Sequence, residues 1–278
     1  MLKKSILCGA LALMLLACAF VGTASAFLAL TENYSSGLAN WTTHGGCYTY
    51  SFTTPTDPCG AAGNLVLRVR NIMGQDNRNC TGSFGEQSVD ADTGQLAYRH
   101  RAELLPKITS ARACYQNDIW VGQRIYFPAA FPATQPADRM NISQIIPVFT
   151  GQDGTDFKFY IDENQTLEVE IRTGANTRQY YNLGGITRGT WQNWTIHYKR
   201  SLGADGLVQI WKNGTLVVNY VGVTTYATDH NGQWKHGIYL HAASNTLTYD
   251  VFFDDVKVAQ GVNQYDIVQP GKAPGACE

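Results

Sequence analysis

The chain has 278 residues, with 21 Lys and Arg against 22 Asp and Glu, and charged residues make up only 15% of it. Low charge together with 12% aromatic residues excludes a disordered chain. The composition also excludes a coiled coil, and the lack of a basic excess argues against a general nucleic-acid binder. Abundant Gly, Tyr, Thr and Asn is typical of an all-β protein with many turns, and the length suits one large β domain.

The N-terminus has the pattern of a secretory signal peptide. Lys3 and Lys4 precede an apolar stretch from Ile6 to Val21, and the small residues 24–26 (Ala-Ser-Ala) follow. A basic region, an apolar core and an A-x-A site are the three parts of such a signal. We therefore expect residues 1–26 to be removed and the mature chain to be secreted, without membrane association after cleavage. The mature chain would keep 19 basic and 22 acidic residues.

Five of the seven cysteines remain after this cleavage, and an oxidising compartment favours disulfides. The simplest pairs are Cys47–Cys59 and Cys80–Cys114, with Cys277 left in the C-terminal tail, although the sequence permits other pairings. No Cys/His spacing indicates zinc, so we interpret the cysteines as structural. If the host is eukaryotic, seven N-x-S/T sequons could be glycosylated: Asn33, Asn40, Asn79, Asn141, Asn164, Asn193 and Asn213.

Alternation of apolar and polar residues predicts strands along most of the chain. The Asn213-Gly214 dipeptide between two such runs is the strongest hairpin signal. Many strands at short spacing, with no long amphipathic helix, predict a jelly-roll sandwich over residues 27–261 and a tail over residues 262–278. The predicted strands are Asn64–Arg70, Asp156–Ile161, Thr166–Arg172, Trp194–Tyr198, Gly206–Lys212, Thr215–Tyr220, Gly237–Ala242 and Thr248–Val258.

One predicted strand, residues 98–104, carries more polar groups than a strand needs. Strand alternation places Arg99, Arg101 and Glu103 on one face and His100 on the other. The simplest interpretation is a solvated face with an Arg–Glu pair of little energetic value. A β-bulge would be needed to bring His100 to the face of Arg101.

Two later segments carry the same kind of polar face. In residues 234–241, alternation puts Lys235, Tyr239 and His241 on one face, and Gly237 between them leaves room for a molecule to approach. Residues 141–146 add Gln144. A strand face with these groups is suited to a polar, anionic ligand.

The order of these segments resembles the jelly-roll polysaccharide lyases. Alginate lyases of this architecture carry R-x-E-L-R, Q-[IV]-H and Y-F-K-A-G-x-Y-x-Q motifs, and the corresponding stretches here are residues 101–105 (RAELL), 144–146 (QII) and 233–241 (QWKHGIYLH). The Trp-containing hairpin at residues 206–214 and the closing strand at residues 251–258 are similar to the glucuronan-lyase and heparin-lyase-like branch. The resemblance covers roughly residues 27–259 and implies a concanavalin-like β-jelly roll of two antiparallel sheets.

The chain departs from the alginate-lyase pattern at three positions. Ile146 stands where those enzymes keep a histidine base, Leu105 replaces a second arginine, and His241 replaces a glutamine. The glucuronan-lyase branch pairs a strand histidine and a glutamine with the late tyrosine, a pattern that His100 and Gln144 would fit. His44 and His230, which we place in Gly- and Asn-rich loops, receive no role.

The resemblance implies β-elimination on a uronate polymer. Arg101 and Gln144 would neutralise the carboxylate and stabilise an enolate-like intermediate. Tyr239, with an ordinary pKa of about 10, would protonate the leaving oxygen, and neighbouring cations would favour its phenolate. His100, or else His241, would take the C5 proton.

Substrate binding is predicted for Lys235, Arg99, Glu103 and His241. Arg99, Arg101 and Lys235, with Arg172 or Arg178, would supply the positive field. An overall charge near zero suits a polyanion only if these cations share one groove. We expect an anionic polysaccharide as the partner and a monomer in solution. The chemistry requires no cofactor, and the family resemblance implies a weak structural Ca²⁺ site at Glu32 with Asp254 or Asp255.

Two other classes compete with a lyase. A non-catalytic, lectin-like jelly roll would keep the groove without a base, and Ile146 favours that alternative. A glycoside hydrolase needs two carboxylates flanking the bond, and Glu103 is the one plausible groove carboxylate in the sequence. The sequence therefore favours a secreted lyase acting on a glucuronan-like or alginate-like polymer.

Overall fold

The fold is taken from a computed structural model of the chain. It describes residues 27–45, 49, 51–60, 63–72, 87–89, 96–107, 118–133, 139–147, 155–226, 232–242, 247–272 and 275–276. The predicted signal peptide lies outside these residues, as do Cys47, Cys80, Cys114 and Cys277.

The described residues form two antiparallel sheets, and the first lies on the side away from the predicted site. It has the order β14-β13-β12-β7-β16-β4-β3, with β1 on β16 and β17 on β12. Its strands are β1 (Phe27–Glu32), β3 (Phe52–Thr53), β4 (Leu67–Ile72), β7 (Asp118–Phe127), β12 (Thr190–Lys199), β13 (Leu207–Lys212), β14 (Thr215–Val221), β16 (Thr248–Gln260) and β17 (Gly275–Ala276).

The second sheet carries the predicted site on its outer face. Its order is β11-β10-β9-β8-β15-β6-β2, with β5 also pairing β6. Its strands are β2 (Trp41–Gly45), β5 (Gln87–Val89), β6 (Leu96–Pro106), β8 (Met140–Pro147), β9 (Phe157–Ile161), β10 (Thr166–Arg172), β11 (Arg178–Gly185) and β15 (Gly232–Ala242). The predicted all-β sandwich of two antiparallel sheets is therefore confirmed.

The hydrophobic core fills the space between the sheets. Alternate residues of each strand point inward, so Leu67 and Val258 of the first sheet meet Leu104, Ile238 and Leu240 of the second, all essentially buried. The residues between them point away from the core, which is what places a polar set on the outer face of the second sheet.

The strand predictions agree with the observed elements. Thr166–Arg172 is β10 as predicted, and the other predicted runs fall on β4, β9, β12, β13, β14, β15 and β16. The hairpin at Asn213-Gly214 joins β13 to β14, with φ of 52° and 82° at the two residues, as a turn of the I′ type requires.

The described part of the C-terminal tail packs on the first sheet. A short helix α1 (Tyr265–Val268) lies over β7, where Gly122 has no side chain; a Cβ there would meet the carbonyl oxygen of Val268 at 1.6 Å. After it, β17 pairs with β12. No helix in the described residues is long and apolar enough to cross a membrane.

Cys59 is disulfide-bonded. Its predicted partner, Cys47, lies outside the described residues, so both predicted pairings stay predictions.

Candidate active site

The centre of the site is β15, which alternates between core and groove. Trp234, Ile238 and Leu240 belong to the core, and His236 packs between aromatic rings with no exposed surface. The residues between them, Lys235, Gly237 and Tyr239, therefore face outward, as the sequence predicted.

Register with β6 brings the predicted groups together. Tyr239 lies opposite Arg101, and Gly237 lies opposite Glu103. The Arg101 guanidinium sits 4.3 Å from the centre of the Tyr239 ring, and the Arg101 Nε is 3.3 Å from Glu103 Oε2. A cation is thus held against the face of the tyrosine, and its guanidinium is oriented by a buried carboxylate.

Gly237 is what allows the two strands to meet in this register. Its φ is +138°, and a Cβ there would lie 2.2 Å from the Ala102 carbonyl oxygen and 2.8 Å from Glu103 Cα. The glycine was predicted to leave room for a ligand, but the space beside it is occupied by the backbone of β6.

A bulge in β8 brings the Gln144 amide to the same face. The pairing shifts between Asn141 and Ser143, so that Ile142 and Ser143 both turn inward. Ile142 packs in the core, and Ser143 Oγ lies 3.0 Å from Gln123 Nε2 of the opposite sheet. Gln144 then faces the groove, where its Nε2 donates to Glu103 Oε1. Glu103 thereby orients both Arg101 and Gln144.

The structure adds a histidine that the sequence left without a role. His44 is on β2 opposite Glu103. Its Nε2 lies 2.8 Å from Arg101 Nη1, and its Nδ1 lies 2.9 Å from Lys235 Nζ. Its side chain is 41% exposed, so the imidazole reaches solvent in the groove.

Burial and the two cations together keep this imidazole neutral. Burial lowers the pKa of His44, and the charges of Lys235 and then Arg101 lower it further, to about 3. A neutral imidazole accepts one hydrogen bond and donates one, so it cannot accept from both cations at once. An anion bound between Arg101 and Lys235 would relieve that conflict.

His44 could have been found from the sequence. Trp41-Thr42-Thr43-His44 is a run of aromatic and β-branched residues, which favours a strand. Alternation from the buried Trp41 would have placed His44 on the opposite, outer face. The glycines that follow it made the segment look like a loop.

The predicted site residues fall into two groups. Arg101, Glu103, Gln144, Lys235 and Tyr239 meet on one face around β15. The side chains of Arg99, His100 and His241 lie outside the described part of the chain. Their backbone register pairs His100 with Leu240, a core residue, and Arg99 with His241.

The outer face remains basic beyond this centre. Glu170 of β10 is 1% exposed and bonds to Arg139, Lys158 and Arg178. Arg172 follows on the same face of the strand. Arg172 and Arg178 thus lie on the same sheet as Arg101 and Lys235, whereas the side chain of Arg99 lies outside the described residues.

The predicted calcium donors do not converge. Asp254 Oδ2 contacts Lys272 Nζ at 2.6 Å and Arg124 Nη1 at 3.3 Å, whereas Asp255 Oδ1 contacts Lys257 Nζ at 3.2 Å. Both oxygens of Glu32 accept hydrogen bonds, from the Tyr34 amide and from the Asn40 side chain. Calcium needs six to eight oxygen ligands, and within the described residues no three Asp, Glu, His or Cys side chains form a metal-binding group. These contacts lend the calcium prediction no support.

A family model described as polysaccharide lyase matches residues 42–257. The match covers more than half of the chain and spans all the residues that meet at β15. The chain therefore belongs to the polysaccharide lyase family and is an enzyme of that class. No curated protein sequence matches the chain.

Solved structures of three lyases share the fold. An endo-β-1,4-glucuronan lyase from the fungus Trichoderma reesei superposes with a TM-score of 0.58 at 18% identity, covering 85% of this chain and 96% of that one. Alginate lyase A1-II′, a member of polysaccharide lyase family 7, gives 0.56 at 12% identity, covering 84% and 100%. An alginate lyase from Pseudomonas aeruginosa gives 0.52 at 19% identity, covering 77% and 87%. The chain thus has the jelly-roll fold of these lyases.

Proposed function

We propose that this lyase cleaves a uronate-containing polysaccharide by β-elimination, with its active centre at His44, Arg101, Gln144, Lys235 and Tyr239. The observation that carries the proposal is the position of the His44 imidazole, whose two ring nitrogens lie within hydrogen-bond distance of Arg101 and Lys235 beside the tyrosine strand. Glucuronan and alginate, the polymers named for enzymes of this fold, are the first substrates to test.

The first requirement of the reaction is to make the C5 proton acidic. A free carboxylate beside C5 opposes the negative charge that develops when the proton leaves. Arg101 and Lys235 would bind that carboxylate and stabilise the enolate-like intermediate, since a charge placed where negative charge develops lowers the barrier. Gln144, hydrogen-bonded to Glu103, lies in register with Lys235 and adds an amide to the same site.

The second requirement is a base and an acid. His44 would take the C5 proton, the electrons of that C–H bond would form the C4–C5 double bond, and the C4–O bond would break. Tyr239 would give its proton to the leaving oxygen. This assigns the base to His44 in place of His100, whose backbone pairs with Leu240 of the core-facing set.

The substrate would itself prepare the base. Before binding, the charges of Lys235 and Arg101 contribute to the low pKa of His44, which makes the imidazole a weak base. A uronate carboxylate between these cations offsets their charge, so the pKa of His44 rises toward its ordinary value of about 6.5. A base with a pKa nearer the working pH is more effective.

The test is the ultraviolet absorbance of the unsaturated uronate released from glucuronan, alginate and heparin. The wild-type enzyme should produce a rise with at least one polymer. Tyr239→Phe and His44→Gln should each lower kcat by about 10²–10⁴-fold, the usual contribution of general acid–base catalysis, while polymer binding persists. Tyr265→Phe, in helix α1 on the far side of the opposite sheet, is the matched control and should leave the rate unchanged.

Absence of any absorbance change with all three polymers would contradict elimination on a uronate. A full rate in His44→Gln together with a large loss in Tyr239→Phe would remove the base from His44 and leave Tyr239 to perform both proton transfers.

We also propose export of the chain, cleavage after Ala26 and a monomeric mature enzyme. A disulfide at Cys59 supports an oxidising compartment. Mass spectrometry of the exported protein should give an N-terminus at Phe27, and non-reducing peptide mapping should join Cys47 to Cys59. A retained residue 1–26 segment would contradict export by this signal.

A further inference from the structure

Strand register aligns polar groups in a row that crosses the outer face of the second sheet. From one edge, His44 lies opposite Glu103 and Glu103 opposite Gly237. The row continues from Lys235 on β15, which lies opposite Gln144 on β8. Gln144 lies opposite Lys158 on β9, Lys158 opposite Glu170 on β10, and Glu170 opposite Tyr180 on β11. The row runs perpendicular to the strands, from the proposed active centre toward β11.

Glu170 organises a group of three cations at the far end of this row. Its carboxylate contacts Arg139 Nη1 at 2.5 Å, Arg178 Nε at 2.9 Å and Lys158 Nζ at 3.1 Å. The three cations outnumber Glu170 and the neighbouring Glu168, whose carboxylate accepts from the Tyr160 hydroxyl beside Arg139, so the cluster carries an excess of positive charge. Lys158 has a lowered pKa, mainly because burial disfavours its charged form.

The three cations contact a buried carboxylate on the sheet side and are partly exposed to solvent on the groove side. Glu170 has only 2% of its side chain exposed, whereas Arg139 has 39%, Arg178 29% and Lys158 23%. The ring of Tyr180, which is 46% exposed, lies 5.6 Å from the Arg139 guanidinium. A surface with preorganised cations beside an exposed aromatic ring is suited to an acidic sugar.

We propose that Arg139, Lys158 and Arg178 form a subsite for the carboxylate of a second uronate residue of the same polymer chain. This inference rests on the proposed function. Three strand spacings separate β15 from β10, about 14 Å at roughly 4.8 Å per strand, which exceeds the length of one sugar ring. The sugar held at the cluster is therefore a different one from the sugar that is cleaved.

A purely structural role would need less than this cluster provides. One cation is enough to neutralise a buried carboxylate, and further cations on the same carboxylate repel one another. An excess charge that is partly exposed and aligned with the active centre is better explained by an anionic ligand that completes the neutralisation.

The experiment compares substrate lengths in matched variants. We would measure kcat/KM for a trisaccharide and a hexasaccharide of whichever of glucuronan and alginate the wild type cleaves. Arg178→Gln and Arg139→Gln should lower the hexasaccharide-to-trisaccharide ratio by about five- to tenfold, the size of one lost charge-assisted contact. Lys199→Gln removes one positive charge from a pair with Asp205 on the other sheet and should leave the ratio unchanged.

Salt dependence gives a second measurement, which does not require the arginine variants to be as stable as the wild type. The hexasaccharide KM of the wild type should rise with ionic strength more steeply than that of Arg139→Gln, because fewer charges are screened in the variant. A ratio and a salt dependence unchanged in both arginine variants would overturn the subsite while leaving the proposed function intact. A wild type inactive on every uronate polymer would overturn both.

Discussion

His44 lies within hydrogen-bond distance of two cations, and this has a measurable effect on pH dependence. The profile of kcat/KM reports the free enzyme, and that of kcat reports the complex. With the pKa of His44 at about 3 in the free enzyme, we expect the acid limb of kcat/KM to lie below pH 4. The limb of kcat should lie at higher pH, because a bound carboxylate offsets Lys235 and Arg101.

Lys235→Met distinguishes this effect from titration of the substrate. The substitution removes one of the charges that lower the pKa of His44, whereas the carboxyl groups of the polymer titrate as before. The acid limb of kcat/KM should therefore move to higher pH in the variant. If the limb stays in place, His44 does not set it.

The pKa of His236 is lowered as far as that of His44, but by burial without neighbouring cations, and its effect is on stability. Burial alone lowers its pKa to about 3, against about 6.5 in the unfolded chain. Above pH 6.5 neither state binds this proton; below it the unfolded chain does and the folded chain does not. The free energy of unfolding should fall between pH 6.5 and 3, by at most about 1.4 kcal/mol per pH unit.

The His236→Gln variant tests this contribution. Its unfolding free energy should be lower than that of the wild type at pH 7, because the imidazole packs against Trp41 and Phe253. Its further loss between pH 7 and pH 4, measured by denaturant unfolding, should be smaller than that of the wild type. An equal loss in both proteins would assign the acid sensitivity to other groups.

At the scale of strands, the pairing of β6 with β15 depends on Gly237. In Gly237→Ala, the Cβ would meet the Ala102 carbonyl oxygen at 2.2 Å, and φ of +138° is strained for alanine. We expect a loss of about 2 kcal/mol in unfolding free energy. Because Arg101 and Tyr239 face each other across this pair, we also expect at least a tenfold loss of kcat.

Gly214→Ala is the matched control for this prediction. Gly214 also has a positive φ, of +82°, but nothing lies within 4 Å of its Cβ position, and it sits in the β13–β14 hairpin. The control should lose stability through backbone strain and keep full activity, measured by the ultraviolet assay and thermal unfolding. Equal losses of activity in both variants would show that the register of β15 is not what Gly237 protects.

Strand periodicity explains which parts of the site could be predicted. Alternation alone placed Lys235, Gly237 and Tyr239 on one face of β15, and Arg101 with Glu103 on one face of β6. It could not show the bulge that turns Gln144 into the groove, because a bulge depends on how β8 pairs with β9. Contacts between distant strands, such as His44 with Lys235, lie beyond any local pattern.

In the molecule as a whole, the fold gathers several cations of a nearly neutral chain on one sheet. Arg101 and Lys235 lie at the proposed centre, and Arg139, Lys158 and Arg178 lie around Glu170 on the same sheet. The sequence supplied the condition that its cations must share a groove, but not the outcome, since Arg139 and Arg178 are 39 positions apart. Five strand pairings, from β6 to β11, bring the cations of both groups to one face of the sheet.

The C-terminal tail contacts the first sheet through Lys272. Its ammonium lies 2.6 Å from Asp254, a fully buried carboxylate that also contacts Arg124, and its carbonyl accepts from Asn193. In Lys272→Met the buried carboxylate loses its shorter cationic contact, and we expect a loss of about 2 kcal/mol, or about 5 °C in Tm. Lys199→Met, at an exposed pair with Asp205, should change Tm by no more than about 1–2 °C.

Because Lys272 and Arg124 already supply the cations at Asp254, the wild-type Tm should be the same in chelator and in added Ca²⁺. A rise in Tm with Ca²⁺ would instead support the calcium site at Glu32, Asp254 and Asp255, and would require the tail to make room for the ion.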